Sequence, residues 1–224
     1  MSITLIQGLT DLSKELGESI TNTTTRRIAH YNDAVQEFAN ERKWKFLLKE
    51  NTDLNTGDGA SAIDISGITD IRMPGGIKEI LIGDSDTPIL PVEYKDRNTV
   101  GSYNRFYISP DEQELHFTKE VDTSETLTIL YYYIPARITE TTSSDTFPIP
   151  SRYRKALGTL GAAFVQWSRY LDGQGNRLLN IYNRLLEKIE ANQSEHNDGM
   201  TRKIPNPRAW AGYSRTYRNG SRVR

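Results

Sequence analysis

The sequence contains no cysteine among its 224 residues, which excludes disulfides, thiolate metal sites and cysteine nucleophiles. No apolar run approaches the roughly 20 residues that a membrane-spanning helix needs. The first sixteen residues carry Asp11 and Glu15 where a signal peptide would stay apolar. We therefore expect a soluble chain, made in a cytoplasm without a membrane partner. Its length allows one large domain, or a core with an inserted module.

Catalytic patterns are equally scarce. The three histidines, His30, His116 and His196, fall on a predicted helix, a predicted strand and the start of the C-terminal segment. None has a second ligand or base at a motif spacing, and His30 is interpreted as a helix-surface or interface residue. The stretch "DLNTGDG", residues 53–59, is similar to a calcium loop, but its glycine comes one place early and no glutamate closes it. It is predicted to be a turn.

Other short motifs also favour a structural interpretation. The stretch "GTLGAA", residues 158–163, lies inside a predicted helix and lacks the ending of a phosphate loop. The acidic pairs Asp84/Asp86 and Asp111/Glu112 fall in predicted turns, where they would be solvated. We therefore predict no enzyme, no cofactor and no metal site. An active site would have to be built from carboxylates and tyrosines, and no pattern requires one.

Two helices are predicted before residue 50. Leucines at positions 5, 9, 12 and 16 form one stripe on a helix that ends at Gly17. After "TNTTT", a second helix is predicted to continue to about Leu48, finishing with Trp44, Phe46 and Leu47. Its apolar face is formed by Ile28, Tyr31, Val35 and Phe38.

From about Asn51 the spacing of apolar residues is no longer that of a helix. Short β-type runs separated by turn residues predict an antiparallel β meander or small sandwich. The stretch "NTDLNTGDGAS" is predicted to be a loop, and "RFYISPDEQELHFT" a hairpin that turns at Pro110 and Asp111. In "LTILYYYIP", residues 127–135, side chains are predicted to alternate between two faces. Leu127, Ile129, Tyr131 and Tyr133 point to one face, and Leu130 and Tyr132 point to the other. Both faces are apolar, which indicates burial on both sides or an interface. The predicted runs are "AIDI", "ITDIRM", "IKEILIG", "ILPVEY", "RFYIS", "ELHFT" and "LTILYYYIP".

Helix returns after Pro150, with Ser151 as the predicted N-cap. The stretch "DGQGN", residues 172–176, is predicted to be the turn of an antiparallel helical hairpin. Gly158 and Gly161 lie mid-helix, where a close approach by a helix of this chain or of a neighbouring copy would explain them. The first helix carries the seam Tyr153, Leu157, Leu160, Phe164, Trp167 and Leu171, and the second carries Leu178, Tyr182, Leu185 and Ile189. The residues assigned to subunit or helix packing are Gly158, Gly161, Phe164 and Trp167.

These elements predict an α+β fold in four parts. Residues 1–50 hold two helices of a bundle, and 51–146 form an inserted antiparallel β module. Residues 147–195 complete the bundle as a helical hairpin, and 196–224 form an extended basic tail.

Charge is divided sharply along the chain. All 29 acidic residues and 21 of the 28 basic ones lie at or before Asp198, so this body carries −8 and the following segment +7. The segment 199–224, here called the arm, is too polar to fold alone. The residues assigned to docking are Arg202, Lys203, Ile204, Pro205, Arg208, Trp210, Tyr213, Arg215, Tyr217, Arg218, Arg222 and Arg224.

Two partners suit the arm. Cations and aromatic rings can bind phosphates and stack on bases, which would make the chain a nucleic-acid-binding protein. Trp, Tyr and Arg also dominate protein interface hot spots. A protein groove is favoured because the acidic body would repel nucleic acid. An extended apolar strip points the same way; it comprises Ile204, Pro205, Pro207, Ala209 and Trp210.

The layout resembles the head–tail adaptor, or connector, proteins of tailed bacteriophages, which form a ring beneath the portal. The resemblance covers nearly all of the chain and is one of arrangement rather than of a single motif. It is carried by "TRRIAHYNDAVQEFANERKWKFL", "LTILYYYIPARIT", "FPIPSRYRKALGTLGAAFVQWSRYLDG" and "NRLLNIYNRLLEKIEANQ".

The resemblance implies a virion protein without catalysis, assembled as a ring of commonly twelve copies around duplex DNA that passes without sequence-specific binding. It implies that the arm grips the portal protein and that the β module faces the tail or nozzle proteins. An acidic body suits a DNA channel, because repulsion keeps phosphates off the wall. Apolar strands and mid-helix glycines suit packing between subunits. Many weak arms on one ring would act together.

Overall fold

A computed structural model describes residues 2–19, 25–55, 60–73, 75–83, 87–98, 104–121, 126–140 and 146–197. These residues form an α+β fold with four α-helices and several small sheets, mostly antiparallel. Backbone contacts group Met1–Tyr182 as one compact unit and Asn183–Arg224 as a second. The division into four parts drawn from the sequence stays a prediction.

Three helices of the first unit pack together. Helix α1 spans Leu5–Leu16, α2 spans Thr25–Glu41 and α3 spans Arg154–Trp167. Helix α3 packs against both α1 and α2. The predicted apolar stripes of α1 and α2 form much of this core, through Leu5, Leu9, Leu12, Ile28, Tyr31, Val35 and Phe38, all of which are buried.

Helix α1 ends where its sequence predicts, and a capping box marks its start. The Thr4 hydroxyl accepts from the Gln7 amide, and the Gln7 side chain accepts from the Thr4 amide, which makes a capping box. At the other end Gly17 has a φ of 67°, and its amide donates to the Lys14 carbonyl at 3.1 Å. Glycine adopts this left-handed conformation without steric cost, so the helix stops there.

Helix α2 ends at Glu41, so its predicted extension to Leu48 was wrong. Trp44 has extended backbone, and a 3₁₀ turn follows at Lys45–Leu47. The Trp44 indole folds back over the helix, where its ring stacks on Phe38 at 4.5 Å and Nε1 donates to the Phe38 carbonyl at 2.7 Å. The chain thereby satisfies one of the carbonyls that a helix end leaves open. The aromatic run closes the helix rather than lengthening it.

The start of α3 and of the last helix also differ from expectation. A 3₁₀ turn at Ser151–Tyr153 precedes Arg154, and Ser151 is not the N-cap of α3. Helix α4 spans Asp172–Asn197, so "DGQGN" is its first turn and not a break. The break lies at residues 168–171, and Leu171 is outside the helix and exposed.

The part of α4 that belongs to the first unit contacts α2. Tyr182 is buried, and its hydroxyl donates to a carboxylate oxygen of Glu41. Burial, followed by this hydrogen bond, raises the pKa of Tyr182 above its ordinary value, so the phenol remains a donor at neutral pH. The antiparallel hairpin of α3 with α4 stays a prediction.

Nine strands lie in the described part of the chain. Most of them build the β module between α2 and α3. They are β1 Ile3–Thr4, β2 Leu48–Asn55, β3 Ala60–Asp64, β4 Ile77–Ile82, β5 Leu90–Pro91, β6 Arg105–Ile108, β7 Glu114–Val121, β8 Thr126–Tyr132 and β9 Thr146–Phe147.

Two sheets of the β module pack face to face as a small sandwich. One has the order β2-β8-β4 and the other β3-β7-β6-β5; β5 and β6 are parallel and the other pairs antiparallel. Strands β1 and β9 pair separately. Both sheets contribute to a single apolar core. Its buried members are Ile63, Ile65, Ile71, Ile77, Ile80, Phe106, Leu115, Phe117, Leu127, Ile129 and Tyr131.

Most of the predicted β runs contain a strand, and the hairpin is confirmed, because Ile108 pairs with Leu115 across the turn at Pro110 and Asp111. Alternation in β8 is also confirmed. Two predictions were wrong: "ITDIRM" makes one isolated bridge through Ile71 and no strand, and "NTDLN", residues 51–55, is part of β2 rather than a loop. In "ILPVEY" only Leu90–Pro91 is a strand.

The short motifs behave mostly as structural elements. The stretch "GTLGAA" lies within α3, as predicted, and Asp111 and Glu112 are exposed in the β6–β7 turn. Residues 53–55 of "DLNTGDG" lie in β2, and the rest of that stretch lies outside the described residues, as do Asp84 and Asp86. In the described part of the chain, no helix is long and apolar enough to cross a membrane, and no three metal-ligating side chains form a group.

Acid should weaken the fold through His30. Its Nε2 is buried on α2 without a hydrogen-bond partner among the described residues. Burial, together with the charge of Arg26, lowers the pKa of His30 more than Asp33 raises it. The unfolded chain therefore takes up the proton first, and stability should be lost as the pH falls below about 6.5. Urea unfolding between about pH 5 and 8 should show this loss. The His30→Gln variant should show a shallower pH dependence, and equal slopes in both proteins would contradict the assignment.

Candidate assembly interface

The twelve predicted docking residues, Arg202 to Arg224, lie outside the described residues. Their role stays a prediction. The four residues assigned to subunit or helix packing lie in α3 and are described fully. The surfaces that could meet other chains are therefore built from the helices, from the α3–α4 connection and from the β module.

The two glycines of α3 lie directly against α1 of the same chain. A Cβ atom added at Gly158 would lie 2.8 Å from the Asp11 Cβ and 3.0 Å from the Leu12 backbone nitrogen. A Cβ at Gly161 would lie 2.9 Å from the Leu12 Cδ1. Only glycine allows the backbones this close. The contact partner within the chain is thus α1, and packing between subunits through these glycines stays untested.

Phe164 and Trp167 complete the predicted packing set near the end of α3. Their ring centroids are 5.6 Å apart, and both side chains are partly exposed. The indole of Trp167 also covers the first turn of α4, where a Cβ at Gly175 would lie 2.3 Å from its Nε1. Gly175 therefore makes the room that lets α4 begin beside this ring.

A network of ion pairs ties the three packed helices together. Arg154 Nε of α3 donates to Asp11 Oδ2 of α1 at 2.6 Å, and Asp11 is largely buried. Just beyond α1, Glu18 pairs with both Arg27 of α2 and Arg169. Burial, and then the charge of Arg169, lowers the pKa of the Arg27 guanidinium, which nonetheless stays protonated. Partly buried bidentate pairs of this kind fix the geometry of neighbouring helices.

The connection between α3 and α4, residues 168–171, is here called the corner. The Leu171 amide donates to the Gln166 carbonyl and the Tyr170 amide to the Trp167 carbonyl, which is the Schellman pattern. Tyr170 takes the left-handed position of that motif with a φ of 61°, and its side chain is 93% exposed. Leu171 beside it is 42% exposed. The sequence pattern did not indicate this feature, because it assigned Leu171 to the buried seam.

A second exposed surface is an aromatic row on the four-stranded sheet. The Arg97 guanidinium lies over the Tyr94 ring at 4.0 Å, and Tyr94 meets Tyr107 edge-on at 5.6 Å. Tyr107 stacks on His116 at 5.1 Å, and the His116 Nε2 lies 3.1 Å from a carboxylate oxygen of Glu114. Tyr94 and Tyr107 line a cleft of about 470 Å³. The sequence offered only scattered tyrosines, without the 3₁₀ turn that places Tyr94 or the strand register that pairs Tyr107 with His116.

Comparison with protein families places this architecture. The model of the SU10 adaptor protein family matches residues 4–205, which include the helices and the whole β module. The chain belongs to this family of phage head–tail adaptors. A comparison with curated proteins found no match.

As an SU10 adaptor, the chain is a structural component of a virion. Its family implies association with the portal and tail components of a phage. The resemblance read from the sequence is thereby confirmed at the level of the family. The match ends at residue 205, within the arm.

Proposed function

We propose that this SU10 adaptor assembles as a closed ring, commonly of twelve copies, between the portal and the tail, and that duplex DNA passes through the ring. The family match across both the helices and the β module carries the proposal. The arm, residues 199–224, binds the portal, and the aromatic row on the β module faces tail-side proteins. DNA is guided without sequence-specific contacts, and the chain performs no catalysis.

The charge distribution supports separate roles for the body and the arm. The body carries −8 and the arm +7. A negatively charged wall repels phosphates and keeps DNA moving. A basic arm with aromatic residues has the composition of a protein-binding segment that orders on its partner. Each arm gains from its neighbours on the ring, because the second and later arms bind at a high effective concentration.

Portal addition should depend on the arm. Full-length protein mixed with the cognate portal ring should add a ring-sized number of copies in mass photometry. A 1–198 truncation should add none, and full-length Trp210→Ala should bind at least about 30-fold more weakly, since a central aromatic anchor contributes 2 kcal/mol or more. Ser214→Ala, a change in the arm outside the docking set, is the matched control. Equal addition by the truncation and the full-length protein would contradict the assignment of the arm.

Nucleic acid binding is the competing function, and the basic and aromatic residues of the arm favour it enough to be tested. A DNA-binding arm that makes about six phosphate contacts should lose affinity by orders of magnitude between 50 and 200 mM salt. Protein docking should depend more on Trp210 than on salt. If the full-length chain ignores the portal but shifts duplex DNA in a salt-sensitive manner, nucleic acid binding is the function.

A further inference from the structure

The backbone of the corner is disfavoured by its own sequence. Position C′ of a Schellman motif requires a positive φ, which glycine adopts freely and a tyrosine adopts only at a cost. Tyr170 nevertheless occupies it with a φ of 61°. Strained backbone of this kind persists where the surroundings hold it, and it concentrates at functional positions. Glycine at 170 would form the same turn more easily, so the tyrosine side chain needs an explanation outside the fold.

That side chain contacts almost nothing in the described part of its own chain. Tyr170 is 93% exposed and Leu171 is 42% exposed, so the corner presents a ring and an aliphatic group together. The backbone that carries these two side chains is held in place by several contacts. Backbone hydrogen bonds hold the turn, Arg26 donates to the Ser168 carbonyl at 3.2 Å, and the Gly175 backbone lies against the Trp167 indole. A tyrosine on a fixed backbone has only two side-chain torsions to order on binding, which is typical of an interface anchor.

The charges around the corner favour an acidic partner. Arg26, Arg27 and Arg169 lie at or beside it, against Glu18 and Asp172. The local excess is therefore positive, on a body whose net charge through Asp198 is −8. The same acidic body in a second copy is a complementary surface. A closed ring also requires a heterologous interface, in which one patch of each copy meets a different patch of the next.

We infer that Tyr170, with Leu171 beside it, anchors one copy of this adaptor on the acidic body of the neighbouring copy. The inference rests on the proposed ring and names the contact that closes it. The tyrosine costs the isolated chain stability and contributes contact area only in the assembly. Removing the tyrosine should therefore stabilise the isolated chain and weaken the assembly.

The test is Tyr170→Gly in the full-length chain. Relief of the positive φ should raise the thermal midpoint of the unassembled protein by about 2–4 °C. Loss of the anchor should raise the protein concentration needed for half-assembly by at least about tenfold. Differential scanning fluorimetry below the assembly concentration gives the first value, and mass photometry across a dilution series gives the second. Replacing a residue with only a structural role would not raise the thermal midpoint and weaken assembly at the same time.

Glu112→Gly is the matched control. Glu112 is the other non-glycine residue with a positive φ in the described part of the chain, at 60° in the exposed β6–β7 turn. Its replacement should raise the thermal midpoint similarly and leave assembly unchanged. If Tyr170→Gly assembles at the wild-type concentration, the anchor is refuted while the ring stands. If the wild-type chain stays single at every concentration, with and without portal, the proposed function fails and the anchor fails with it.

Because the chain has no cysteine, a single introduced thiol can identify the surface that Tyr170 contacts. Gly173→Cys places a single thiol two residues from Leu171, at a position where an added Cβ meets open space, and leaves Tyr170 in place. The thiol can be labelled with a maleimide benzophenone and irradiated in mixtures of ¹⁵N-labelled and unlabelled copies. Mixed-isotope adducts on peptides from residues 1–198 are the expected result. Adducts confined to the portal or to added DNA would overturn the inference. Normal rings of the Tyr170→Gly variant that fail only to bind the portal would also overturn it.

Discussion

Replacing Trp44 by alanine should lower the free energy of unfolding by about 3–5 kcal/mol. The Trp44 ring is buried among aromatic neighbours, stacked on Phe38 at 4.5 Å and edge-on to Tyr153 at 5.3 Å. Its removal leaves a cavity where α2, α3 and the start of β2 meet. It also leaves the Phe38 carbonyl without its indole donor. Since domains are stable by only 5–15 kcal/mol, circular dichroism in urea should show a large shift of the midpoint.

Trp44→Phe separates the two contributions. A phenyl ring keeps most of the stacking and loses only the hydrogen bond and part of the volume. Its cost should be about 1–2 kcal/mol. An alanine variant within about 1 kcal/mol of wild type would show that the aromatic cluster does not hold the junction.

Gly8→Ala should be nearly as damaging, although alanine favours helices by up to about 1 kcal/mol. A Cβ atom at Gly8 would lie 2.0 Å from the Cζ of Tyr31, whose side chain is fully buried. Tyr31 packs edge-on against Phe147 at 5.8 Å, so its ring has no room to retreat. Helix α1 must therefore shift as a whole, and overpacking of this kind should cost about 2–3 kcal/mol in urea unfolding.

Other glycines supply a graded series for the same measurement. At Gly158 the obstacle is the backbone of α1, whereas at Gly161 it is the mobile end of Leu12. At Gly173, in the first turn of α4, no atom lies within 4 Å, so alanine should be neutral or stabilise by up to about 1 kcal/mol. The expected order of damage is Gly8, Gly158, Gly161, Gly173. A loss at Gly173 equal to that at Gly8 would contradict the steric explanation.

The ends of α3 and α4 show why the sequence predicted helices better than their boundaries. Periodic apolar residues located both helices, because burial decides where a stripe must lie. The stop was placed at "DGQGN", because glycine is the usual C′ residue. The chain instead ends α3 with Tyr170 and uses Gly175 to clear space for Trp167. Neither choice follows a local rule, because Tyr170 takes a position that glycine usually fills and Gly175 is required by its contact with the Trp167 ring.

The β module was predictable in kind and less so in detail. Alternation in β8 was readable because its inner residues Leu127, Ile129 and Tyr131 are buried by the facing sheet. The sequence analysis missed the polar strand β2. This strand is held by pairing with β8 along one edge rather than by apolar residues of its own.

The candidate interface was also predictable in part. Composition was enough to single out the arm, since charge and aromatic content are properties of the sequence itself, and the arrangement of the predicted elements was enough to suggest the family. The corner and the aromatic row were not predicted. Tyr170 stands out only through its φ and exposure. Tyr107 and His116 align through the register of β6 and β7, and Tyr94 joins them from a 3₁₀ turn.

The β module leaves and rejoins the helices at one place. Leu48 pairs with Tyr132, and the Tyr133 amide donates to the Leu47 carbonyl at 2.9 Å. The chain thus enters and leaves the insertion through two adjacent strands, and Arg72 adds a contact from the module to the Asn40 carbonyl near the end of α2. Residues can be gained or lost at its far end without moving that attachment. The module can therefore be treated as a cassette, whose distal loops can be exchanged while the helices that carry it keep their own packing.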